Sequence, residues 1–152
     1  MRLIFFTDGS DDGFAAARLV AALIDPAAVS YIAVVAVTWP QRPSPIWDKA
    51  NEAHLALDDL HRAMAVIADQ CVKRLRAELI RHTDEIEEIV TVGDPAQATL
   101  DILHNVRADI GFIAVTSGPH RDHVAAWVVE VTKRAHCAIV VMHGIHEDAR
   151  SI

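Results

Sequence analysis

Five short runs of apolar, β-prone residues recur along the chain, and four stretches with helical periodicity separate them. The runs fall at residues 3–7, 29–37, 85–92, 109–115 and 137–142, and the helical stretches at 14–24, 48–82, 96–106 and 124–135. Short, nearly continuous apolar runs closed by turn residues suit strands buried on both faces. Strand and helix in strict alternation give right-handed crossovers and a parallel sheet. The pattern therefore predicts an α/β fold, a five-stranded parallel sheet with helices on both faces.

The boundaries follow from turn chemistry. The first run ends in Asp8-Gly9-Ser10-Asp11-Asp12-Gly13, where Ser10 or Asp11 is placed to cap the next helix. A proline-rich loop is expected from Thr38 to Pro45. The long stretch 48–82 carries its apolar stripe on Leu55, Leu57, Leu60, Met64, Ile67, Cys71, Val72, Leu75 and Leu79 and reads as one helix. Gly93-Asp94-Pro95 marks the next helix start, and residues 116–122 read as a loop. Neither an internal repeat nor a low-complexity linker interrupts the 152 residues. The expectation is one domain over 1–146 and a flexible tail at 147–152.

Composition narrows the function classes. Hydrophobic residues make up 52% but aromatics only 5%, so the core must be mostly Ala, Val, Ile and Leu. Lys and Arg total 14 against 21 for Asp and Glu, a formal net charge of −7, which argues against nucleic acid as a partner. Cys71 and Cys137 are far apart and form no CxxC pair, as expected of reduced thiols. The chain shows no signal-peptide pattern and no run long enough to cross a bilayer, so the expected location is cytoplasmic, away from the membrane.

Three segments together resemble the universal stress protein family over essentially the whole chain. The first is Ile4-Phe5-Phe6-Thr7-Asp8-Gly9-Ser10, the second Val92-Gly93-Asp94-Pro95. The third is Ala108-Asp109-Ile110 with Lys133-Arg134-Ala135-His136-Cys137-Ala138-Ile139-Val140-Val141. The resemblance implies a Rossmann-like sheet of the adenine nucleotide alpha hydrolase-like kind, in strand order 3-2-1-4-5. In that order strands 1 and 4 flank the switch point, where open α/β sheets bind ligands. The candidate crevice is then Asp8, Val37, Thr116, Ser117, Gly118, His120 and Arg121. The resemblance also implies a homodimer, through the edge strand Ile139, Val140, Val141 and Met142 or through the long helix.

One departure bears on the ligand. Nucleotide-binding members carry Gly-x-x-Gly after strand 4 and, further on, a Gly followed by Ser or Thr. These glycines let backbone amides approach phosphates. Here the loop reads Thr116-Ser117-Gly118-Pro119-His120-Arg121-Asp122-His123, with Gly118 its one glycine and Ala125-Ala126 at the later pair. Binding of ATP in the family's manner is therefore not expected, and no cofactor is. His120, Arg121 and His123 near a helix N-terminus would instead suit a small anionic ligand.

Other signals have ordinary readings. Asp8 also serves as a turn residue; with Asp11 and Asp12 it lacks the partners of a phosphoacceptor site. Among the 9 histidines, the pairs His120/His123 and His143/His146 have no local acidic or thiol partner, and His54/His61 share a helix face, so no metal is expected. Cys71, Cys137 and Trp127 read as packing residues, and Trp39 and Trp47 as loop packing. No nucleophile and base stand together, so the chain is expected to be no enzyme, with slow nucleotide hydrolysis at most. The sequence thus points to a universal-stress-type regulatory or binding protein that does not depend on ATP, able to engage a protein partner. The alternative is a divergent nucleotide-binding member using the same crevice.

Overall fold

The computed structural model of the chain describes residues 1–38, 44–52, 56–115 and 121–143. In chain order these form β1 (Arg2–Thr7), α1 (Asp11–Leu23), a 3-10 turn (Pro26–Ala28), β2 (Tyr31–Thr38), α2 (Pro45–Asn51) and α3 (Leu57–Leu79). β3 (Ile86–Val92), α4 (Pro95–Val106), β4 (Ile110–Val115), α5 (Arg121–Arg134) and β5 (Ala138–His143) complete it. The five strands make one sheet in the order β3-β2-β1-β4-β5, every neighbouring pair parallel. This is the expected order.

Side chains of a strand alternate between its faces, and β1 shows the division. Leu3 and Phe5 point into one cluster with Phe14 of α1, Ile46 of α2 and Met64, Val72 and Leu75 of α3. Ile4 and Phe6 point into the other, with Ala96 and Leu103 of α4 and Val128 and Val131 of α5. Residues 3–6 are each at most 3% exposed, as a strand covered on both faces must be. Phe5 stacks on Phe112, its register partner on β4, with ring centroids 4.5 Å apart.

Capping sets the helix starts. Ser10 Oγ accepts the Gly13 amide at 3.1 Å and begins α1; Ser44 Oγ accepts the Trp47 amide at 3.1 Å and begins α2, with Pro45 in the first helical position. His82, just past α3, is buried, and its Nε2 donates to the Ala21 carbonyl at 2.7 Å, tying the ends of α3 and α1 together. Arg18 pairs with Glu78 and Arg74 with Asp11 along the same seam, Arg74 also covering the Phe14 ring at 4.0 Å.

Three expectations need correction. The segment 48–82 is not one helix: α2 ends at Asn51 and α3 starts at Leu57. The apolar period runs in register from Ile46 and Ala50 through Leu57 to Leu60, so spacing alone does not reveal the break; yet Leu57 is 64% exposed. Pro45 opens a helix instead of closing a loop. Helices α1 and α5 begin three residues before residues 14 and 124, because their first turns are polar and an apolar pattern starts only after them.

Candidate functional site

The switch point lies where β1 and β4 diverge at their carboxyl ends. Thr7 is buried, and its Oγ1 accepts the Gly9 amide at 3.1 Å, starting a tight turn. Gly9 has φ +84, a left-handed conformation that side chains resist. A Cβ there would also lie 2.8 Å from Ile46 Cγ1, so glycine lets α2 settle on the end of β1. At Gly13 an added Cβ would sit 3.2 Å from Ala114 Cβ and 3.3 Å from Asp8 Oδ1. The first turn of α1 thereby closes against the end of β4.

Asp8 stands at the centre of this arrangement. Its Oδ1 accepts from the Ser10 amide at 2.8 Å and the Ser10 hydroxyl at 2.5 Å. Its Oδ2 is buried and has no hydrogen-bond partner among the described residues. Burial pushes the Asp8 carboxyl above the usual carboxylate range, and the Asp12 charge adds to the push, while the Ser10 bonds oppose it. An acceptor in this condition is expensive to leave unmade. Ser10 connects the turn to the helix: its hydroxyl donates to Asp8 and accepts from Gly13.

Val37 lies level with Asp8, since Thr7 pairs with Ala36 across β1 and β2. It is half-buried on the α4/α5 face. These two predicted site residues are therefore neighbours at the sheet's end. Thr116, Ser117, Gly118 and His120 lie outside the described residues. Arg121 is the first residue of α5.

Sequence reasoning did not anticipate α2, whose Ile46 is 2% exposed over the turn at Gly9. The Ser44-Pro45 pair carried that information as a cap and first-turn proline. Cys71 is buried as expected; burial raises its thiol pKa, which makes it a packing group beside the turn and a poor nucleophile. Cys137 is half-buried and its thiol is likewise raised by burial. Asp11 turns outward to Arg74, so the acidic cluster at 8, 11 and 12 does not converge. No group of three or more metal-ligating side chains occurs among the described residues; His54, His120 and His146 fall outside them. Trp47 packs on the first cluster and Trp127 on the second, while Trp39 also falls outside. No described helix is long and apolar enough to cross a membrane.

No family model matches the sequence, and no curated protein matches it. Solved structures do match. The universal stress protein UspA from Lactobacillus plantarum superposes with a TM-score of 0.67 at 19% identity, covering 93% of this chain and 97% of that one. The universal stress protein from Archaeoglobus fulgidus in complex with dAMP gives 0.60 at 16%, covering 93% and 97%. A universal stress protein family protein from Arabidopsis thaliana with AMP bound gives 0.58 at 14%, covering 97% and 94%. Over nearly its whole length the chain resembles these proteins in fold.

Proposed function

We propose that a chain with the universal stress protein fold, and Asp8 at its switch point, is a regulatory binding protein whose crevice takes the nucleoside part of an adenine nucleotide. The observation that carries this reading is the buried Oδ2 of Asp8, which has no hydrogen-bond partner among the described residues. A ribose hydroxyl is the kind of donor that would satisfy it, as an acidic residue does for sugars in related open sheets. The backbone of β2 at Val37, level with Asp8, offers polar edges to a base. The fold's solved neighbours with dAMP and AMP bound support a monophosphate.

The missing glycines argue against a triphosphate. With Gly118 alone in the segment after β4, and Ala125-Ala126 where a Gly-Ser pair would serve, there is little to hold β- and γ-phosphates. To Thr116, Ser117, Gly118, His120 and Arg121 we assign the remaining contacts, to a single phosphate. Nothing in this scheme hydrolyses the ligand, because no nucleophile stands with a base among the described residues. The protein acts by binding, in the cytoplasm, as a homodimer paired along β5.

Calorimetry with AMP and with magnesium ATP tests this. AMP is expected to bind, ATP no more tightly than AMP, and Asp8→Ala to remove both. ATP binding much tighter than AMP would overturn the monophosphate reading. Absence of any binding at millimolar nucleotide would overturn the nucleotide reading and leave an interaction module.

A further inference from the structure

Among the described residues the sheet has two outer strands, β5 and β3, and the dimer proposed along β5 leaves β3 open. The ladder to β2 fixes which backbone groups of β3 are spare. Ile32 donates its amide to the Glu85 carbonyl at 2.9 Å, and Gly93 donates its own to the Thr38 carbonyl at 3.0 Å. Positions that bond to one neighbour alternate along a parallel strand, so the odd-numbered residues from 85 to 93 face β2. The amides and carbonyls of Ile86, Glu88, Val90 and Val92 therefore point outward. No described strand lies beyond them.

Lysine, proline or a bulge commonly blunts such an edge, because an open one templates pairing with another chain. β3 has none of these: it reads Ile86-Glu87-Glu88-Ile89-Val90-Thr91-Val92 and keeps an unbroken register with β2. Its charges stand in the first half alone. In the second half Val90 and Val92 are 39% and 63% exposed. Val90 is level with Ala36 of the first cluster, so both valines lie on the face that α3 covers. Lys73 and Arg76 of α3 each come within 3.9 Å of Glu88 on that face. Val66, 57% exposed, is about 10 Å up α3 from Lys73, and Val92 is about 13 Å up β3 from Glu88. The three valines thus stand at one level beside the open backbone.

Electrostatics selects the partner. Residues 84–94 hold five carboxylates and no base. Glu88 shares Lys73 and Arg76, and Lys73 is also held by Asp69 at 2.7 Å. Glu87 accepts from the Tyr31 hydroxyl, a neutral donor. Asp84, Glu85 and Glu87 enter no ion pair among the described residues. Against them stand Arg2, over the Tyr31 ring at 4.1 Å, and Arg81, just past α3; the carboxylates stay in excess. We propose that β3 takes an extended basic segment of a partner protein as a sixth strand. Antiparallel pairing is the more stable, so the segment carries apolar residues first, along Val92 and Val90, and lysines or arginines after them, along Glu87 and Glu85. A second copy of this chain fits less well. Two-fold pairing of β3 would lay the acidic half of each strand along the valine half of the other and join two chains of net charge −7. The edge shares no residue with the Asp8 turn, so this inference stands without the nucleotide reading.

The test is titration of the 15N-labelled protein with a capped peptide of seven residues, the length of β3. Valine and threonine alternate in its first half, lysine and threonine in its second. It is expected to shift the amides of Glu88, Val90 and Val92 and slow their exchange, leaving those of Gly9 and Val140 in place. A version with glutamate for lysine is expected to bind about tenfold more weakly, because two cross-strand charge pairs turn repulsive. Added salt should narrow that gap. Val90→Pro deletes an outward N–H that the ladder to β2 does not use, and should abolish binding. Val92→Lys, at an exposed side chain, leaves the fold intact and should weaken binding by removing an apolar contact and adding a like charge. Equal affinity for the two peptides, shifts at Val140 in place of Val90, or unchanged affinity in Val92→Lys would each overturn the proposal. So would a dimer that Val92→Lys dissociates in sedimentation equilibrium, since a second copy would then be the occupant. Nucleotide is read at Gly9, so failure here is distinguishable from failure at Asp8.

Discussion

Asp8 is held by two demands that conflict. The turn needs its Oδ1 for the Ser10 bonds, and the same burial leaves Oδ2 desolvated and its pKa raised. A folded carboxyl with a raised pKa holds its proton more tightly than the unfolded chain does. The folded state is then favoured below the ordinary carboxylate pKa, and that advantage is lost as pH rises through the raised value. Asp8→Asn removes the charge and keeps an oxygen for Ser10. It is expected to be more stable than the parent at neutral pH, with the gain shrinking as pH falls through that window, measured by denaturant midpoints. An unchanged difference across pH would sink the assignment. At this scale the sequence was legible where one residue type does one job: Ser10 as a cap, Cys71 as packing. It was less so where the cause is tertiary, since the missing partner of Oδ2 is a property of what surrounds it.

Among the elements, α2 shows how local and long-range information divide. The apolar period from Ile46 to Leu60 is unbroken, so a pattern argument sees one rod. The chain uses that register twice, first to lay Ile46 and Ala50 over the first cluster and then to start α3 afresh. Ile46 packs on the Gly9 turn, a long-range contact that no spacing rule contains. Ile46→Ala would open a cavity at that contact and is expected to cost about 2–4 kcal/mol in denaturant unfolding. It should also loosen the Asp8 turn, seen as faster amide exchange at Gly9 and Ser10. A loss within experimental error would mean that α2 merely rests on the turn. The polar first turns of α1 and α5 escaped the apolar pattern for a related reason. Caps and first-turn acids stabilise a helix without burying anything.

For the molecule as a whole, strand order was accessible only through the resemblance, because periodicity says which segments are strands and not who sits beside whom. The three family-like segments gave β3-β2-β1-β4-β5, and the hydrogen-bonded ladders have that order. The loop that would name the ligand was where the resemblance itself failed. Among the described residues β5 is left on the outside, with Val140 39% exposed and one row of backbone groups without a neighbouring strand. Val140→Lys is expected to convert the proposed dimer to monomer in sedimentation equilibrium, with the fold intact by circular dichroism. A dimer that survives it would assign the interface to another face.

Joining two copies by a two-fold axis through β5 would have a geometric outcome, because every strand of the sheet points the same way. A rotation that brings two identical edges together must reverse one of them. The directional sheet of the protomer would become, in the pair, a sheet with no overall heading. Each Asp8 crevice would then open on the same rim as the amino ends of its mate's strands, so the two crevices would face opposite sides of the joined sheet.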